Sequence, residues 1–297
     1  MILANYSDVL PQTMRLYLLS CTHVGDLACH RKGMEKMVDV IKKDRNAYWG
    51  HLGDSVGAIF YLDPRYDVDM HAGKHQTANA QARDFAKIFH PIAGKMLFLL
   101  DGNHDNKLIK TVDIPYQIRE KFVDKYEKDI SMMKYGSVEI SAQITENCKI
   151  YCCHGAGLTN SRAEDRQRRY FNDCDSVRKK LVDQAGDCHG AFMGHIHKLR
   201  VRKPSNPLHI VSNKKKLQQM YPTAQDFKGV PIVPEQYRWY GSVGSFLKTK
   251  LVTPERLMEG QRFDTYSAKK LYSTVELGCL RLDIKQGWLA NVEEVKI

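Results

Sequence analysis

Several common sequence features are missing from this chain of 297 residues. No apolar run is long enough to cross a bilayer, and Met1 to Met14 lack the basic-then-apolar pattern of a secretion signal. The eight cysteines are irregularly spaced, which argues against a disulfide framework. No internal repeat or low-complexity tract is visible. We therefore expect a cytoplasmic protein with no membrane partner, and the sequence leaves its oligomeric state unknown.

Acidic residues are fewer than basic ones: the chain has 34 acidic and 45 basic residues, which gives a net charge of +11. Part of the basic excess lies in a 198–203 cluster (Lys198, Arg200, Arg202 and Lys203) and a 214–216 cluster (Lys214, Lys215 and Lys216). Such stretches either track the backbone of a polyanion or form solvated hairpin faces and loops. Proteins that bind single strands usually have aromatic residues interleaved with the basic ones, and no aromatic residue is interleaved with these lysines. Nucleic acid is therefore a candidate partner, and both interpretations stay open.

Apolar runs alternate with helical patterns in the first hundred residues. The runs over 15–20, 47–52 and 96–100 read as strands, and residues 31–43 and 78–89 carry apolar side chains at helical spacing. This alternation predicts βαβ units in an α/β fold. Because 43% of the residues are hydrophobic, the chain can bury a large core, and we predict a single domain over 1–297.

The second half of the chain has a different pattern. After a helical stretch over 114–130 and an Arg-rich helix over 162–182, short strands dominate, among them one over 246–251. These strands predict a second sheet built from the C-terminal half. Residues 55–77 and 212–238 are predicted insert loops, because connections of this length are usually functional lids or disordered.

Five short blocks of polar residues end hydrophobic runs. In chain order they are Cys21-Thr22-His23, Gly53-Asp54, Gly102-Asn103-His104-Asp105, His154-Gly155 and Gly194-His195-Ile196-His197. The carboxyl ends of strands in an α/β sheet open onto a crevice, so we expect these side chains to converge. Imidazole, carboxylate and amide groups hold pairs of divalent cations, which clamp the attacking and leaving oxygens of a phosphate ester. The blocks therefore predict a two-metal phosphoesterase site.

The order of the blocks resembles that of the calcineurin-like metallophosphoesterase superfamily, whose pattern is D-x-H, G-D, G-N-H-D/E, H and G-H-x-H. The resemblance covers roughly residues 14–250. It implies a metallophosphoesterase-type four-layer α/β/β/α sandwich, in which two packed mixed sheets are flanked by helices. It also implies a first metal held by Cys21, His23, Asp54 and His197, and a second metal held by Asp54, Asn103, His154 and His195.

The same resemblance implies a reaction and two further roles. Asp54 would bridge the two cations and offset their repulsion, and a metal-bridging hydroxide would attack a phosphodiester or phosphomonoester in line. His104 resembles the residue that faces the leaving-group oxygen as general acid or transition-state donor. Asp105 would orient the backbone or a histidine near the metals.

Cys21 departs from the family pattern, which has Asp at this position. A thiolate ligand would favour softer cations, so the candidate ions are Mn, Zn, Fe or Ni. In the alternative interpretation Cys21 is a packed thiol, the first site is weakened and only the second ion binds well. Asp26 could replace it only if the loop folds back.

A narrower resemblance links the chain to uncharacterised phosphoesterases of bacteriophages and bacteria. It rests on Asp63-Pro64-Arg65-Tyr66, on Gly244-Ser245-Phe246-Leu247-Lys248 and on Tyr266-Ser267-Ala268. Those relatives usually have an acidic residue near position 57, where this chain has Gly57, and Asn-Thr before Gly-Ser-Phe, where this chain has Ser242-Val243. A phage-encoded protein would act in the host cytoplasm. Arg65 either pairs with a substrate phosphate or forms a surface ion pair with Asp63 or Asp67.

Three functions follow from these patterns. The main hypothesis is a phosphoesterase, with a nucleotide or nucleic-acid phosphodiester favoured as substrate by the basic composition and the phage-like segments. The first alternative is a DNA nuclease resembling the phosphoesterase subunit of double-strand-break repair complexes. The second is a non-catalytic binding protein that kept the fold and lost the first metal. Metal content separates this last alternative from the others.

Overall fold

A computed structural model describes residues 1–60, 63, 66, 77–107, 109–159, 161–213, 216–229, 232–249 and 274–297. Its strands are β1 (Ile2–Asn5), β2 (Met14–Leu19), β3 (Ala47–His51), β4 (Met96–Leu99), β5 (Lys134–Tyr135), β6 (Glu139–Thr145), β7 (Cys148–Cys153), β8 (Gly190–Met193), β9 (Arg200–Arg202), β10 (His209–Asn213), β11 (Lys216–Met220), β12 (Trp239–Ser242), β13 (Gly278–Lys285) and β14 (Trp288–Lys296). Its α-helices are α1 (Arg31–Lys43), α2 (Ala78–Phe89), α3 (Asn103–Asn106), α4 (Ile114–Glu120) and α5 (Arg166–Leu181).

The first sheet has the strand order β14-β13-β2-β3-β4-β5. Strands β2, β3 and β4 are parallel neighbours, which confirms the predicted βαβ arrangement. Helices α1 and α2 have the predicted bounds. Each begins at a side-chain cap: His30 Nδ1 accepts from Gly33 N at 2.8 Å, and Thr77 Oγ1 accepts from Ala80 N at 3.2 Å.

The second sheet has the strand order β1-β6-β7-β8-β12-β9, so both large sheets are mixed. The prediction that it is built from the C-terminal half is wrong in two respects. The C-terminal hairpin β13–β14 joins the first sheet through antiparallel pairing with β2, and the N-terminal β1 joins the second sheet beside β6. The physical reason is the core: Leu280 and Leu282 of β13 are fully buried beside β2.

Other predicted elements are shorter than expected. The helix predicted over 114–130 ends at Glu120 and continues only as a π-helical turn over Lys121–Lys125. The Arg-rich helix begins at Arg166, where Asp165 caps it. Residues 246–249 of the predicted strand over 246–251 are not a strand, and the remainder lies outside the described residues. The predicted insert loop over 212–238 contains β11, which pairs with β10 in a separate hairpin.

The hydrophobic core has three parts. One contains Leu18 of β2 together with Ile150 of β7 and Phe192 of β8, so residues of both large sheets pack in a common layer. A second contains side chains of α1 and α2 with Trp49 of β3. The third contains Val177 and Leu181 of α5 with Tyr151 of β7. The result is an α/β architecture in which helices pack on both large sheets. No helix in the described ranges is long and apolar enough to span a membrane.

Candidate metal centre

The structure brings the five sequence blocks together. Cys21 and His23 follow β2, Asp54 follows β3, and Asn103 to Asp105 lie in α3 just after β4. His154 follows β7, and His195 and His197 follow β8. Side chains from both large sheets therefore meet at one cluster. Arg65 lies outside the described residues.

Five residues of this cluster have left-handed backbone conformations. The φ angles are 52° at Cys21, 44° at His23, 56° at Asp54, 64° at His195 and 55° at His197. A residue with a Cβ atom rarely adopts this region, and each such residue costs about 1–3 kcal/mol. Strain of this kind persists where the surrounding structure imposes it, and it concentrates at functional sites. Its occurrence at five of the seven predicted ligand residues makes this cluster the candidate functional site of the described residues.

Two glycines of the blocks allow the loops to approach closely. A Cβ atom on Gly102 would lie 2.1 Å from Asp54 Oδ1, and one on Gly194 would lie 2.2 Å from Ser20 Oγ. No side chain fits at either position without displacing its neighbour. The glycines in the G-N-H-D and G-H-I-H blocks are therefore required for the convergence of the strand ends.

One group of donor atoms surrounds His154. Its Nε2 lies 3.0 Å from Asn103 Oδ1, 3.3 Å from His195 Nδ1 and 3.4 Å from Asp54 Oδ2. Asn103 Oδ1 lies 2.8 Å from His195 Nδ1. Ligands about 2.1 Å from one cation are roughly 3.0–3.4 Å apart in octahedral or tetrahedral geometry. The three atoms of Asn103, His154 and His195 therefore have the spacing of neighbouring ligands on a single ion, and Asp54 Oδ2 lies beside the His154 nitrogen.

The hydrogen bonding of His154 supports this arrangement. Its Nδ1 lies 2.6 Å from the carbonyl oxygen of Leu52, which can only accept, so Nδ1 carries a proton. In the neutral ring Nε2 then presents a lone pair to the oxygens of Asn103 and Asp54. Burial opposes protonation of His154, but the Asp54 carboxylate outweighs burial and raises its pKa. A cation or a proton is needed between these facing acceptors.

A second group contains Cys21, His23 and His197, whose ligand atoms all lie within 4.8 Å of one another. His23 Nε2 is buried with no hydrogen-bond partner among the described residues, and it lies 3.8 Å from Asp54 Oδ2. Burial and His104 hold the pKa of His23 well below its usual value, and burial lowers the pKa of His197 to about 4. Both imidazoles are therefore neutral near pH 7, which is the form that ligates metals.

Cys21 is fully buried, with its Sγ atom 3.3 Å from Ser20 Oγ. Burial and the charge of Asp54 raise the pKa of this thiol well above its usual value. The thiol is therefore neutral without a cation beside it, whereas a bound cation would deprotonate it. Asp26 Oδ1 instead accepts a hydrogen bond from Ala28 N at 2.7 Å, within its own turn.

His104 and Asp105 hold the backbone and side chain around Asp54 through different contacts. The backbone N–H of His104 donates to Asp54 Oδ1 at 2.8 Å, its Nδ1 contacts the carbonyl of Gly57, and its ring packs edge-on against His23 at 4.6 Å. Asp105 is buried and accepts from Ser55 Oγ at 2.8 Å and from the backbone N–H groups of Gly102 at 3.0 Å and Ser55 at 3.2 Å. Asp105 therefore fixes the residues that flank Asp54.

A buried ionic network that the sequence analysis did not identify holds the segment after His197. Glu276 N donates to His197 O at 2.9 Å, and Arg200 bonds Glu276 at 2.6 Å and Asp173 at 2.9 Å. Lys198 also pairs with Asp173, at 3.2 Å. The acids come from distant parts of the chain, so no local sequence signal could reveal them.

This network changes the interpretation of the basic clusters. In the 198–203 cluster, Arg202 pairs with Asp175 of α5, in addition to the ion pairs of Lys198 and Arg200. These three charges are neutralised within the protein and hold α5 on the sheet. In the 214–216 cluster, Lys216 is exposed on β11, whereas Lys214 and Lys215 lie outside the described residues.

No protein-family model matches the chain, and no curated protein shows significant similarity to it. Function is therefore inferred from the chemistry of the cluster itself. Buried groups of cysteine, histidine and aspartate side chains could hold a metal ion there. Asp54 and His154 also form such a group with Cys21, so Asp54 is common to the two sets of donors.

Proposed function

We propose that this protein is a dinuclear-metal-dependent phosphoesterase with the four-layer α/β/β/α architecture of the calcineurin-like metallophosphoesterases. The observation that carries the proposal is the position of Asp54, a buried carboxylate between two sets of donor side chains. One set consists of Cys21, His23 and His197, and the other of Asn103, His154 and His195. A shared carboxylate is what two adjacent divalent cations need, because it offsets their mutual repulsion.

The donor atoms fit a pair of borderline cations such as Mn, Zn, Fe or Ni. Imidazole nitrogens predominate, with one amide oxygen, one carboxylate and one thiol, and none of these sets resembles the all-oxygen site that Ca²⁺ prefers. The buried Nε2 of His23 has no hydrogen-bond partner among the described residues. It therefore needs either a cation that accepts its lone pair or an acceptor for its N–H. When bound, the two cations would neutralise phosphate charge and acidify water.

The remaining residues of the cluster then have definite tasks. His104 would donate a proton or hydrogen bond to the leaving-group oxygen, and its backbone N–H holds Asp54 in place. Asp105 would keep Ser55 and Gly102 in register around Asp54 through its four accepted hydrogen bonds. The ion pairs of Arg200 with Asp173 and Glu276 would fix the segment that carries His197.

The test combines metal analysis with ester hydrolysis. Protein purified without chelator should contain two equivalents of metal per chain and should hydrolyse bis-p-nitrophenyl phosphate or p-nitrophenyl phosphate under Mn, Zn, Ni or Mg. A sample stripped with chelator serves as the control and should regain activity when the metal is restored. Metal-loaded protein that hydrolyses neither ester nor any nucleotide diester would contradict the proposal and favour a binding protein.

Replacing Cys21 by serine is expected to reduce the metal content from two ions per chain to one. The reason is that a buried hydroxyl ionises far less readily than a thiol and ligates soft cations poorly. Cys21→Asp should keep two ions and shift the preference toward Mn or Mg. Elemental analysis measures both variants, and Cys29→Ser, a half-buried cysteine outside the cluster, is the matched control.

Two results would contradict this role for Cys21. Two ions in both wild type and Cys21→Ser would mean that the thiol is not a ligand. One ion in both would mean that the first position is vacant already in the wild-type protein, so that any hydrolysis uses a single metal.

A further inference from the structure

A cleft of about 490 Å³ lies directly beside the second set of metal donors. Asn103 and His154 form part of its wall, so it continues from the position where a phosphate would bind. Lys180 and Leu181 at the end of α5, and Gln184 just after it, also line the cleft. The cleft is therefore placed to receive a group attached to the phosphate that the metals hold.

The walls of this cleft have the composition of a small-molecule site. Val138, Leu181 and Met193 supply apolar surface, and Tyr151 adds a ring whose hydroxyl donates to Glu139 at 2.6 Å. Apolar surface predominates, and the polar side chains of the lining are those of Asn103, Asn106, Glu139, His154, Lys180 and Gln184. Ligand sites of roughly 300–1,000 Å³ are typically apolar with a small number of such polar groups. The volume suits one compact organic group of about nucleoside size.

Lys180 is the cation of the cleft. Its Nζ donates to Ala156 O at 3.0 Å, which places the ammonium beside the backbone just after His154. An ammonium has three N–H donors, and no carboxylate in the described part of the chain forms an ion pair with Lys180. Glu139, the acid of the cleft, already accepts from Tyr151 and lies 3.8 Å from the N-terminal ammonium. The remaining N–H donors of the Lys180 side chain are therefore available to an anionic ligand.

We propose that the cleft binds the organic group of the phosphate ester and that Lys180 pairs with a second anionic group on it. The substrate class is then a compact, nucleoside-sized phosphate ester with an additional negative charge. This inference rests on the proposed function, because it takes the adjacent donor cluster as the site of the ester that is cleaved. Lys180 determines specificity through a charge-assisted hydrogen bond, which is stronger than a neutral one.

A matched pair of substrates tests the role of Lys180. The p-nitrophenyl ester of thymidine 5′-phosphate is compared with the same ester carrying a 3′-phosphate. Wild-type protein should prefer the 3′-phosphorylated ester by roughly tenfold in kcat/KM, the worth of one charge-assisted hydrogen bond. Lys180→Met should bring that ratio close to one, and Lys180→Arg should restore most of it. Lys179→Met, an exposed neighbour on α5 that does not line the cleft, should keep the wild-type ratio.

Two outcomes of this comparison would overturn the inference. One is an equal kcat/KM for both esters in the wild type, and the other is an unchanged ratio in Lys180→Met. A third ester, which carries a 3′-succinyl group, identifies the anion that is recognised. A preference for both charged esters means that Lys180 recognises negative charge in general. A preference for the phosphorylated ester alone means that it recognises phosphate.

A binding measurement keeps this inference separate from the proposed function. Thymidine 3′,5′-bisphosphate is titrated calorimetrically into wild type, Lys180→Met and Gln184→Trp, where the exposed Gln184 allows an indole to narrow the cleft. Both substitutions should weaken binding at least severalfold. If no ester is hydrolysed but binding depends on Lys180, the proposed function fails and the cleft assignment stands. If esters are hydrolysed and neither substitution alters binding, the cleft assignment fails alone.

Discussion

Replacing Asp54 by asparagine is expected to release both metal ions and to lower phosphodiester turnover by about 10³-fold or more. The two cations supply several kcal/mol of transition-state stabilisation, and each 1.4 kcal/mol or so corresponds to a factor of ten in rate. Asparagine keeps the shape of the side chain and can still accept from the backbone N–H of His104. The substitution therefore removes one negative charge with little effect on packing.

The surroundings of Asp54 in the folded protein favour its ionised form. Burial opposes ionisation, but nearby histidines, chiefly His154 through its charge and its hydrogen bond, outweigh burial and hold the pKa of this carboxyl well below its usual range. Asp54 is therefore a carboxylate throughout the neutral range, available to two cations at once. A neutral amide at the same place would leave the repulsion between two adjacent cations uncompensated.

The measurement is metal content and bis-p-nitrophenyl phosphate turnover, with circular dichroism as the check on folding. Asp187→Asn is the matched control, because Asp187 pairs with Lys149 and belongs to none of the donor groups. It should retain both metals and wild-type turnover. Two ions per chain and turnover within tenfold of the wild type in Asp54→Asn would refute the bridging role.

Local sequence patterns were sufficient for the elements that pack through a repeating apolar face. Helix α1 could be predicted with its bounds because Met34, Met37, Val38 and Ile41 recur at helical spacing and are all buried. Strands β2, β3 and β4 could be predicted because each is a mostly apolar run and the runs alternate with helical patterns. In these segments local preference and tertiary packing favour the same structure.

The sheet to which a strand belongs could not be predicted from the same patterns. The alternating apolar residues of β13 predict a strand with one buried face, but they do not specify its neighbour. Pairing of β13 with β2 joins residues more than 260 positions apart in the chain, as in the pair Leu280 and Leu18. Strand β1 has only four residues, two of them exposed, and gives almost no periodic signal.

The cluster follows a similar division. The blocks identified the residues that the structure brings together, since their positions at strand ends require only that the strand ends of the two packed sheets lie close together. The left-handed conformations at Cys21, Asp54 and His195 could not be predicted, because even Asp and His, which favour positive φ more than most residues, adopt it at only a small minority of positions. Nor could the ion pairs of the 198–203 cluster, whose acid partners Asp173 and Asp175 lie about 25 residues earlier on a separate helix.

Replacing His104 by alanine is expected to slow hydrolysis by about 10²- to 10⁴-fold while two metal ions stay bound. This is the usual contribution of a positioned acid or base. The loss should be largest for an ester with an alkyl leaving group, whose oxygen needs a proton, and smaller for p-nitrophenolate, which leaves without one. Turnover of the two esters and elemental analysis are measured side by side. His90→Ala, whose ring stacks on Tyr126 outside the cluster, controls for loss of an imidazole.

The structure also defines a competing role for His104 that the same experiment tests. His104 lies in a group with His23 and Asp54 whose ligand atoms are all within 4.8 Å of one another, so it has the position of a metal ligand as well as that of an acid. Its contact with the carbonyl of Gly57 requires a proton on Nδ1, so Nε2 is the ring nitrogen that would ligate a cation or donate a proton. If His104 acts as an acid, the His104→Ala variant hydrolyses esters more slowly but keeps both metal ions. Loss of an ion in His104→Ala, or equal slowing of both esters, would assign it instead to holding the cations.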